Sequence, residues 1–329
     1  MKAVQFKTLA YEDAIEWIPF DRLDNIIKIG EGGFGSIYKA TWLDGIRRIE
    51  KIIKNDNFSY KRSREQNSIV ALKTLPGFKT NQNSADFLSV FKNHMQCKLY
   101  CNRLQIYGLT YNLKANEYLM AFQYADGGNI CKFLKSNFNK LTWEFKLKQL
   151  RDISKDLDQI HNAGYIHANL HSGNILHNRG TSYVSDLGLS KKAGENNAED
   201  IVFGVIPYVA PEVLSGKQFT KRADIYSFGI IMAEITTGQR PFDGYKFDLN
   251  LVIEICNGLR PKFAPETPDC YIELANHCMN TDPLKRPIAW TVYCTIDDWI
   301  KQLALDDEHE IKKQFLNADK AIKTLPIIS

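Results

Sequence analysis

The chain has 329 residues, of which 44% are apolar and 24% are charged, proportions typical of a globular protein with one bilobal or two separate cores. Basic residues exceed acidic residues by only 42 − 38 = 4, a balance too mild to predict a nucleic-acid or membrane partner. No run of about 18 apolar residues is present, and the N-terminus lacks the apolar core of a signal peptide. The seven cysteines form no CxxC pair, so we expect reduced thiols and a cytoplasmic location.

The first part of the chain is predicted to be a small sheet. Residues 26–42 indicate two strands around a glycine-rich turn, and residues 68–75 indicate another strand. Between them, residues 46–67 contain seven basic and three acidic residues, which predicts a solvated insertion between strands. A surface that binds a partner or an anion is the alternative interpretation of this insertion.

The rest of the chain turns from strands to helices. Apolar spacing predicts a helix at 84–100, strands at 104–110 and 117–124, and helices at 143–163 and 223–237. The last of these is apolar almost all round, which predicts a buried helix, and Gly238 follows it as a C-cap. Strands first and helices later indicate an α+β chain with two lobes.

Two motifs in the first part are typical of phosphate binding. "IGEGGFGSI" at residues 29–37 places Gly30, Gly32 and Gly35 between two strands, so the motif is not a Rossmann turn, which opens a helix. Glycines let backbone N–H groups approach a phosphate, although a plain hairpin turn would also explain them. "VALK" then places Lys73 inward on a strand, where a cation is costly unless it meets an anion.

Five further motifs follow in order: "HANLHSGN" (167–174), "SDLGLS" (185–190), "PYVAPE" (207–212), "DIYSFG" (224–229) and "DPLKRP" (282–287). With the two earlier motifs, they make the chain resemble the eukaryotic protein kinases from about residue 22 to about residue 300. It is most similar to the tyrosine-kinase-like group. "LHSGNIL" and "TTGQRPF" also resemble the expanded kinase-like families of mycorrhizal fungi.

The resemblance implies the bilobal protein-kinase fold. A small antiparallel β-sheet plus one helix would form the N-lobe, and the larger C-lobe would be mainly helical. The expected organisation is an N-terminal lead at 1–19, an N-lobe at 20–125 that contains the basic insertion 46–67, a C-lobe at 126–302 and a charged tail at 303–329.

The resemblance also implies that the domain binds ATP and Mg²⁺, with roles carried over position by position. The phosphates would meet Gly30, Gly32, Gly35 and Lys73. The adenine would meet Ile37, Ala71, Leu176, the gatekeeper Phe122 and the hinge from Gln123 to Ala125. Mg²⁺ would be held by Asn174 and Asp186.

Two further pairings implied by the resemblance are structural. Glu212 should pair with Arg286, and Asp224 should brace the catalytic loop from the buried helix. Small-molecule phosphotransferases share the His, Asn and Asp pattern but lack the segments that carry Glu212 and Asp224. The sequence therefore favours a protein kinase over a small-molecule phosphotransferase.

Four positions depart from the family pattern. Asn169 replaces the catalytic Asp, and a neutral amide cannot accept a proton as a carboxylate does. Ala168 replaces the preceding Arg, and Val90 occupies the position of the Glu that pairs with the strand Lys. Val205 replaces a Thr that bonds the catalytic Asp in Ser/Thr kinases. In addition, residues 191–207, which correspond to the activation loop of the family, contain no Ser, Thr or Tyr. This loop therefore lacks a phosphate acceptor, and Ala168 replaces the Arg that would bind the phosphate.

Two functions remain open. The first is a pseudokinase or weakened kinase that binds ATP and Mg²⁺ and regulates signalling through a protein partner. The alternative is an active tyrosine-kinase-like protein kinase, in which another group, with His171 as the candidate, orients the substrate hydroxyl. Either interpretation predicts a protein substrate or protein partner.

Overall fold

The computed structural model describes residues 11–12, 14–32, 35–54, 57–74, 95, 104–194, 204–305 and 309–322. Of these, the backbone alone is described for residues 32, 53–54, 57–58 and 322. The chain divides into two compact units, Met1–Ala125 and Asp126–Ser329. The first contains an antiparallel-dominated sheet and the second is mainly helical, so the predicted α+β protein-kinase fold is confirmed.

The first unit, the N-lobe, is built on a six-stranded sheet. Its strands and those of an adjoining hairpin are β1 Glu16–Trp17, β2 Leu23–Gly32, β3 Gly35–Trp42, β4 Ile46–Lys54, β5 Asn57–Glu65, β6 Ser68–Thr74, β7 Ile106–Asn112 and β8 Glu117–Gln123. The order in the sheet is β1-β7-β8-β6-β3-β2. Every pair is antiparallel except β1–β7, in which Glu16 lies parallel to Gly108.

Alternation of side chains gives this sheet two apolar faces. On β6, Val70 and Leu72 are fully buried and pack with Trp42 in one core cluster. On the other face, Met120 and Phe122 of β8 belong to a second cluster. Because successive strand residues point to opposite faces, one short strand contributes to both clusters.

β4 and β5 pair with each other as a separate hairpin, in continuous register from Ile46 opposite Glu65 to Lys54 opposite Asn57. These residues form most of the basic insertion. The sequence did not predict the two strands, because the many charges hide the alternation on which strand prediction depends.

The predicted helix at 84–100 lies outside the described residues except for Met95, which is helical and buried in the second cluster. Val90 therefore also lies outside the described part of the chain.

The second unit, the C-lobe, is organised around buried helices. Its helices are α1 Ile130–Asn137, α2 Trp143–Asn162, α3 Pro211–Leu214, α4 Lys221–Thr237, α5 Leu249–Cys256, α6 Asp269–Cys278, α7 Ala289–Ala304 and α8 Glu310–Ile322. Short strands are β9 Tyr165–Ile166, β10 Ile175–Asn178, β11 Thr181–Val184 and β12 Lys191–Lys192, paired as β9–β12 and β10–β11.

α4 is the central helix of the C-lobe, and all of its residues from Ala223 to Thr236 are buried, as the sequence predicted. The side chain of Thr220 accepts a hydrogen bond from the Ala223 N–H (3.2 Å) and caps its start. Gly238 ends it in the left-handed region at φ 68° and donates its N–H to the Glu234 carbonyl (2.8 Å). The predicted C-cap is therefore confirmed, and glycine adopts this φ without strain. Within the described ranges, no helix has the length and apolar character needed to cross a membrane.

Candidate active site

The N-lobe residues predicted to contact a nucleotide share one face of the sheet. Ile37 on β3 lies opposite Lys73 on β6, and Ala71 on β6 lies opposite Phe122 on β8. Directly paired residues project to the same face, and residues two apart on one strand do so as well. The strand register therefore brings together four side chains that the sequence singled out separately.

Lys73 is half-buried on this face, and it also lies opposite Met120. Its neighbours on β6, Leu72 and Thr74, are buried. A lysine in such a position suits contact with an anionic group, because burying an ammonium among apolar side chains is otherwise unfavourable.

The glycine-rich hairpin is attached to β6 beside Lys73. Gly30 lies opposite Ile37 and Gly32 opposite Gly35, while the tip at 33–34 is outside the described residues. Gly35 has φ 121°, and a Cβ there would overlap the Thr74 hydroxyl. That hydroxyl accepts the Ser36 N–H at 2.8 Å. Gly35 is therefore required by close approach to β6 as well as by its φ value.

The predicted hinge begins at the end of β8. The Gln123 N–H donates to the Gln105 carbonyl at 2.8 Å, so this donor is already committed within the N-lobe. Ala125 is 9% exposed and is the last residue of the first unit. A hydrogen bond between the Gln123 backbone and adenine would therefore have to use the Gln123 carbonyl.

In the C-lobe, Asp224 on α4 holds the loop that begins at His167. Its carboxylate accepts the N–H groups of His167 (2.8 Å) and Ala168 (3.0 Å), and it contacts His161 Nε2 at 2.9 Å. Asp224 is 1% exposed. The prediction that this residue braces the loop from the buried helix is confirmed. Charge-assisted hydrogen bonds of this kind are about twice as strong as neutral ones.

The ring of His167 links the loop to the segment that carries Asp186. Its Nδ1 accepts the Asn169 N–H at 3.2 Å, which leaves the ring proton on Nε2, and Nε2 donates to the Ser185 carbonyl at 3.0 Å. Complete burial lowers the pKa of His167 from its usual value. The imidazole is therefore neutral and structural.

Asn174 links the loop at Asn169 to the segment that carries Asp186. Its side-chain amide donates to the Asn169 carbonyl at 3.0 Å, and its own carbonyl accepts the Ser185 N–H (2.9 Å) and hydroxyl (2.8 Å). These bonds place Asn174 against the residue that precedes Asp186. Asp186 itself has φ 65° and ψ 63°, a left-handed conformation that is strained for a residue with a Cβ. Such strain is concentrated at functional sites.

The donor set at these positions fits Mg²⁺. Because Asn174 uses its amide nitrogen to reach the Asn169 carbonyl, its side-chain oxygen is the atom left to act as a ligand. With the Asp186 carboxylate it offers oxygen ligands only, the type that Mg²⁺ prefers. Among the described residues no group of three or more His, Cys, Asp or Glu side chains could hold a metal. A site with few protein ligands is typical of Mg²⁺ bound together with substrate phosphates.

Leu176, the remaining predicted adenine contact, is half-buried on β10, where it pairs with Tyr183 and forms a bridge to Asn129. Asn129 caps α1 by accepting the Lys132 N–H at 3.0 Å. The start of α1 and the predicted Leu176 position are thus held together within the C-lobe.

The surroundings of His171 include contacts that the sequence did not predict. It is half-buried, with its ring 5.8 Å from that of Tyr208, and its Nδ1 accepts the Gly173 N–H at 3.1 Å. Burial lowers the pKa of His171 to about 4. The sequence could not indicate this, because Tyr208 is 37 residues away and only the tertiary fold brings the rings together.

The sequence did not predict a buried hydrogen-bond network near His171, formed by Ser172, Tyr208 and Glu234. The hydroxyls of Ser172 and Tyr208 donate to the two carboxylate oxygens of Glu234, at 2.8 and 2.7 Å, and lie 3.0 Å apart. Burial raises the pKa of Glu234, and the two hydroxyl hydrogen bonds oppose that rise. The one available signal was an acidic residue within an almost wholly apolar helix. Val205, by contrast, is 39% exposed and offers no side-chain hydrogen bond.

Glu212 and Arg286 form the predicted pair in bidentate geometry, with the two guanidinium nitrogens 2.7 and 2.8 Å from the two carboxylate oxygens. The Arg286 side chain is fully buried and donates further to the carbonyls of Asn280 and Arg222. The prediction is confirmed, and it ties α3 to the turn that precedes α7.

Comparison with known proteins gives the family. The model for "Protein tyrosine and serine/threonine kinase" matches residues 23–296. "Probable serine/threonine-protein kinase roco5" from Dictyostelium discoideum is 27% identical over 85% of this chain, and "Probable serine/threonine-protein kinase drkA" from the same organism is 28% identical over 79%. "Putative serine/threonine-protein kinase/receptor R831" from Acanthamoeba polyphaga mimivirus is 27% identical over 83%.

The chain spans only part of each of these relatives: 9% of the length of roco5, 37% of drkA and 16% of R831. The likeness therefore concerns the kinase domain. Since the family model covers most of the chain and both lobes have the expected architecture, the chain belongs to the protein tyrosine and serine/threonine kinase family.

Proposed function

We propose that this kinase domain binds ATP with Mg²⁺, transfers phosphate weakly or not at all, and regulates signalling through a protein partner. The observation that carries the proposal is the environment of Asn169. The backbone of this residue is held by His167 and Asn174, in a loop braced by Asp224, while the side chain at the position of the catalytic base is an amide.

Residues that would contact the nucleotide are present in each lobe. In the N-lobe, Ile37, Ala71 and Phe122 would contact the adenine, and Lys73 and the glycine-rich hairpin would contact the phosphates. The shared sheet face of these side chains supports the proposal. The hinge would contribute the Gln123 carbonyl and Ala125, and the C-lobe would contribute Leu176.

The metal-binding role falls to Asn174 and Asp186. When bound, Mg²⁺ neutralises negative charge on the phosphate oxygens. The chain's own contribution is to fix the two oxygen ligands, through the Asn174–Asn169 bond and the Ser185–Asn174 bonds. None of these bonds depends on the identity of the side chain at position 169, so its replacement leaves the proposed metal ligands in place.

The loss of the carboxylate at position 169 affects removal of the proton from the substrate hydroxyl. A general base typically contributes about 10²–10⁴ to the rate, and a carboxamide has no basic site for the hydroxyl proton. The rest of phosphoryl transfer depends on positioning and charge stabilisation. We therefore infer that nucleotide binding is retained and that transfer is slow.

His171 is a poor substitute for the missing base. Its Nδ1 is used by the Gly173 N–H, so in the neutral ring the proton resides on Nε2, which can donate but not accept. The pKa of about 4, lowered by burial, further reduces its basicity. This geometry favours the weakened kinase over a kinase rescued by His171.

An active protein kinase is the second candidate. The observation in its favour is that Asp224 braces the loop as the resemblance implies, and the relatives compared above carry serine/threonine-kinase names. In that case the acceptor would be a Ser or Thr hydroxyl. Because residues 191–207 lack hydroxyl side chains and Ala168 replaces the Arg, phosphorylation of this loop would control neither form.

Transfer of the γ-phosphate distinguishes the two candidates. Purified protein is incubated with labelled ATP, Mg²⁺ and a generic protein substrate, and phosphoprotein and ADP are both quantified. Asp186→Ala serves as the control for contaminating kinases. The proposal predicts a rate far below 1 s⁻¹ that the control reduces further, whereas turnover at about 1 s⁻¹ or faster, the ordinary kinase range, would establish an active enzyme.

A further inference from the structure

The hairpin formed by β4 and β5 has two faces of different charge. Its register places Arg47 opposite Arg64, Ile49 opposite Arg62 and Lys51 opposite Tyr60. Since paired residues project to one side, these six side chains form one surface, here called the basic face. The reverse face carries Arg48 and Lys61 together with Glu50 and Glu65, and Arg48 pairs with Glu65 at 2.7 Å. The excess positive charge of the insertion is thus concentrated on one side.

The segment that precedes the N-lobe sheet contacts this basic face with its acidic side chains. Glu16 accepts hydrogen bonds from the guanidinium of Arg47 at 3.1 and 3.2 Å and from Arg64 at 2.6 Å. The Glu12 carboxylate accepts the N–H of Ile49 at 2.9 Å. Glu12 and Glu16, which directly follow Tyr11 and Ile15, are thereby tied to the hairpin.

Tyr11 lies against two arginines of the basic face. The guanidinium carbons of Arg47 and Arg62 are each 5.0 Å from the centre of its ring, within the range of cation–π attraction. The pKa of Arg64 is raised, first by its hydrogen bond to Glu16, and Tyr11 is among the groups that add to the rise.

The charges around Tyr11 are incompletely balanced. Among the described residues, the basic face contributes four cations (Arg47, Lys51, Arg62 and Arg64), and the preceding segment contributes two carboxylates (Glu12 and Glu16), which gives 4 − 2 = +2. A phosphate ester on tyrosine carries about −1.5 to −2 at neutral pH and presents three acceptor oxygens. Arginine is the side chain best suited to bind it, because its planar fork can donate two hydrogen bonds to phosphate.

We propose that Tyr11 is a phosphorylation site and that the basic face of the hairpin binds the resulting phosphotyrosine within the same chain. A protein-tyrosine kinase would supply the reaction: the phenol oxygen bonds to the γ-phosphorus of ATP, the bond from that phosphorus to the β-phosphate oxygen breaks, ADP leaves and the phenol proton passes to solvent. Arg62 is the principal phosphate ligand, since Arg47 and Arg64 already bind Glu16.

Access of a kinase to Tyr11 requires only local opening. Tyr11 is half-buried and lies five residues before β1, so release of this segment exposes the hydroxyl without breaking the sheet. Once phosphorylated, the residue would return to its contacts with added charge, and the segment would be held more firmly against the hairpin.

The first experiment tests modification. The full chain is incubated with ATP and a broad-specificity protein-tyrosine kinase, and the tryptic peptide 8–22, in which Tyr11 is the single tyrosine, is examined by mass spectrometry. The proposal predicts a gain of one phosphate on this peptide and none in Tyr11→Phe. Absence of phosphate on the peptide of the unmutated chain would overturn it.

The second experiment tests binding of the phosphate. Phosphotyrosine is incorporated at position 11 during synthesis of the full chain, and the second pKa of the phosphate is measured by ³¹P NMR. Nearby cations favour the dianion, so the pKa should fall by about 1 unit or more below the value of about 6 for the free ester.

Two matched variants make the second test specific. Arg62→Gln removes a cation from the basic face and should return the pKa toward that of free phosphotyrosine. Lys61→Gln removes the same charge one residue away on the reverse face and should leave the lowered pKa in place. An unshifted pKa in the unmutated chain, or equal effects of the two variants, would contradict binding by this face.

Discussion

The side-chain amide of Asn174 donates to the backbone carbonyl of Asn169, 3.0 Å away. The bond is made to the main chain, so the residue type at position 169 can change without disturbing Asn174. Position 169 also donates its N–H to His167, again through the backbone. The conformation of the loop therefore does not depend on the side chain at position 169. Substitutions at this position can test its role in transfer without disturbing the loop.

Asn169→Asp should raise phosphoryl transfer by about 10²-fold or more, the lower end of what a general base supplies. The measurement is the γ-phosphate transfer rate at saturating ATP and Mg²⁺. Asn169→Ala is the matched control: it should bind ATP equally well and show no gain. An Asp variant that is folded and binds ATP but is no faster than the parent would place the defect elsewhere, with Val205 as the next position to examine.

Val90→Glu should raise transfer less than Asn169→Asp does, because improved placement of Lys73 leaves the base missing. Val90 lies outside the described residues, so this expectation rests on the sequence. The double variant should exceed either single variant, and a double-mutant cycle on the transfer rates measures their coupling. A double variant no faster than Asn169→Asp would exclude a catalytic role for position 90.

Mg²⁺-dependent ATP binding should stabilise the fold. A ligand at 100 times its Kd contributes about 2.7 kcal/mol, so millimolar ATP with Mg²⁺ should raise the melting temperature by several degrees in a thermal-shift assay. Lys73→Met and Asp186→Ala should reduce this rise, while Lys217→Met, a similar change at an exposed site, should retain it. No rise in the unmutated protein would count against the proposed nucleotide site.

Arg286→Ala should destabilise the C-lobe by about 3–5 kcal/mol, because it leaves the buried Glu212 carboxylate without its partner. Urea unfolding, followed by tryptophan fluorescence, measures the loss. Lys285→Ala changes the exposed neighbouring residue and should have little effect. Similar unfolding midpoints for the two variants would show that the bidentate pair adds little to stability.

Lys146 should make stability depend on alkaline pH. It is 1% exposed, with its ammonium 4.4 Å from the ring centre of Phe138 and 5.0 Å from that of Trp143, and burial lowers its pKa from 10.5 to about 8, while Asp319 opposes the change. Between pH 8 and 10.5 the unfolded chain keeps this proton and the folded chain has lost it. Stability should therefore rise with pH across this window, on the order of 1 kcal/mol per pH unit.

Lys146→Met isolates this effect, since methionine keeps the aromatic contacts without a charge. The variant should be more stable than the parent at pH 7, and the difference should shrink as the pH rises from 8 to 10.5, as measured by urea unfolding at each pH. Lys148→Met changes the exposed side of the same helix, and its unfolding free energy should depend on pH in the same way as that of the parent. A constant difference between Lys146→Met and the parent would exclude a depressed lysine pKa.

Several relationships could be predicted from the sequence because they depend on motif order. The brace from Asp224 and the Glu212–Arg286 pair were both predicted and both found, since each joins short motifs whose residue types have one structural use in this family. The burial of α4 followed from an apolar pattern with no polar face. These features need only local pattern and motif identity.

The tertiary structure alone decided which way side chains point and which distant groups meet. Strand register places Ile37 and Lys73 on one face, and a shift of one residue would separate them. Register also concentrates the charges of the insertion on one side of a hairpin and brings Tyr11 to Arg47 and Arg62. The tautomer of His171 follows from the hydrogen bond to its Nδ1. Composition and spacing specify which groups are present, but pairing across strands and burial set their contacts, pKa values and chemistry.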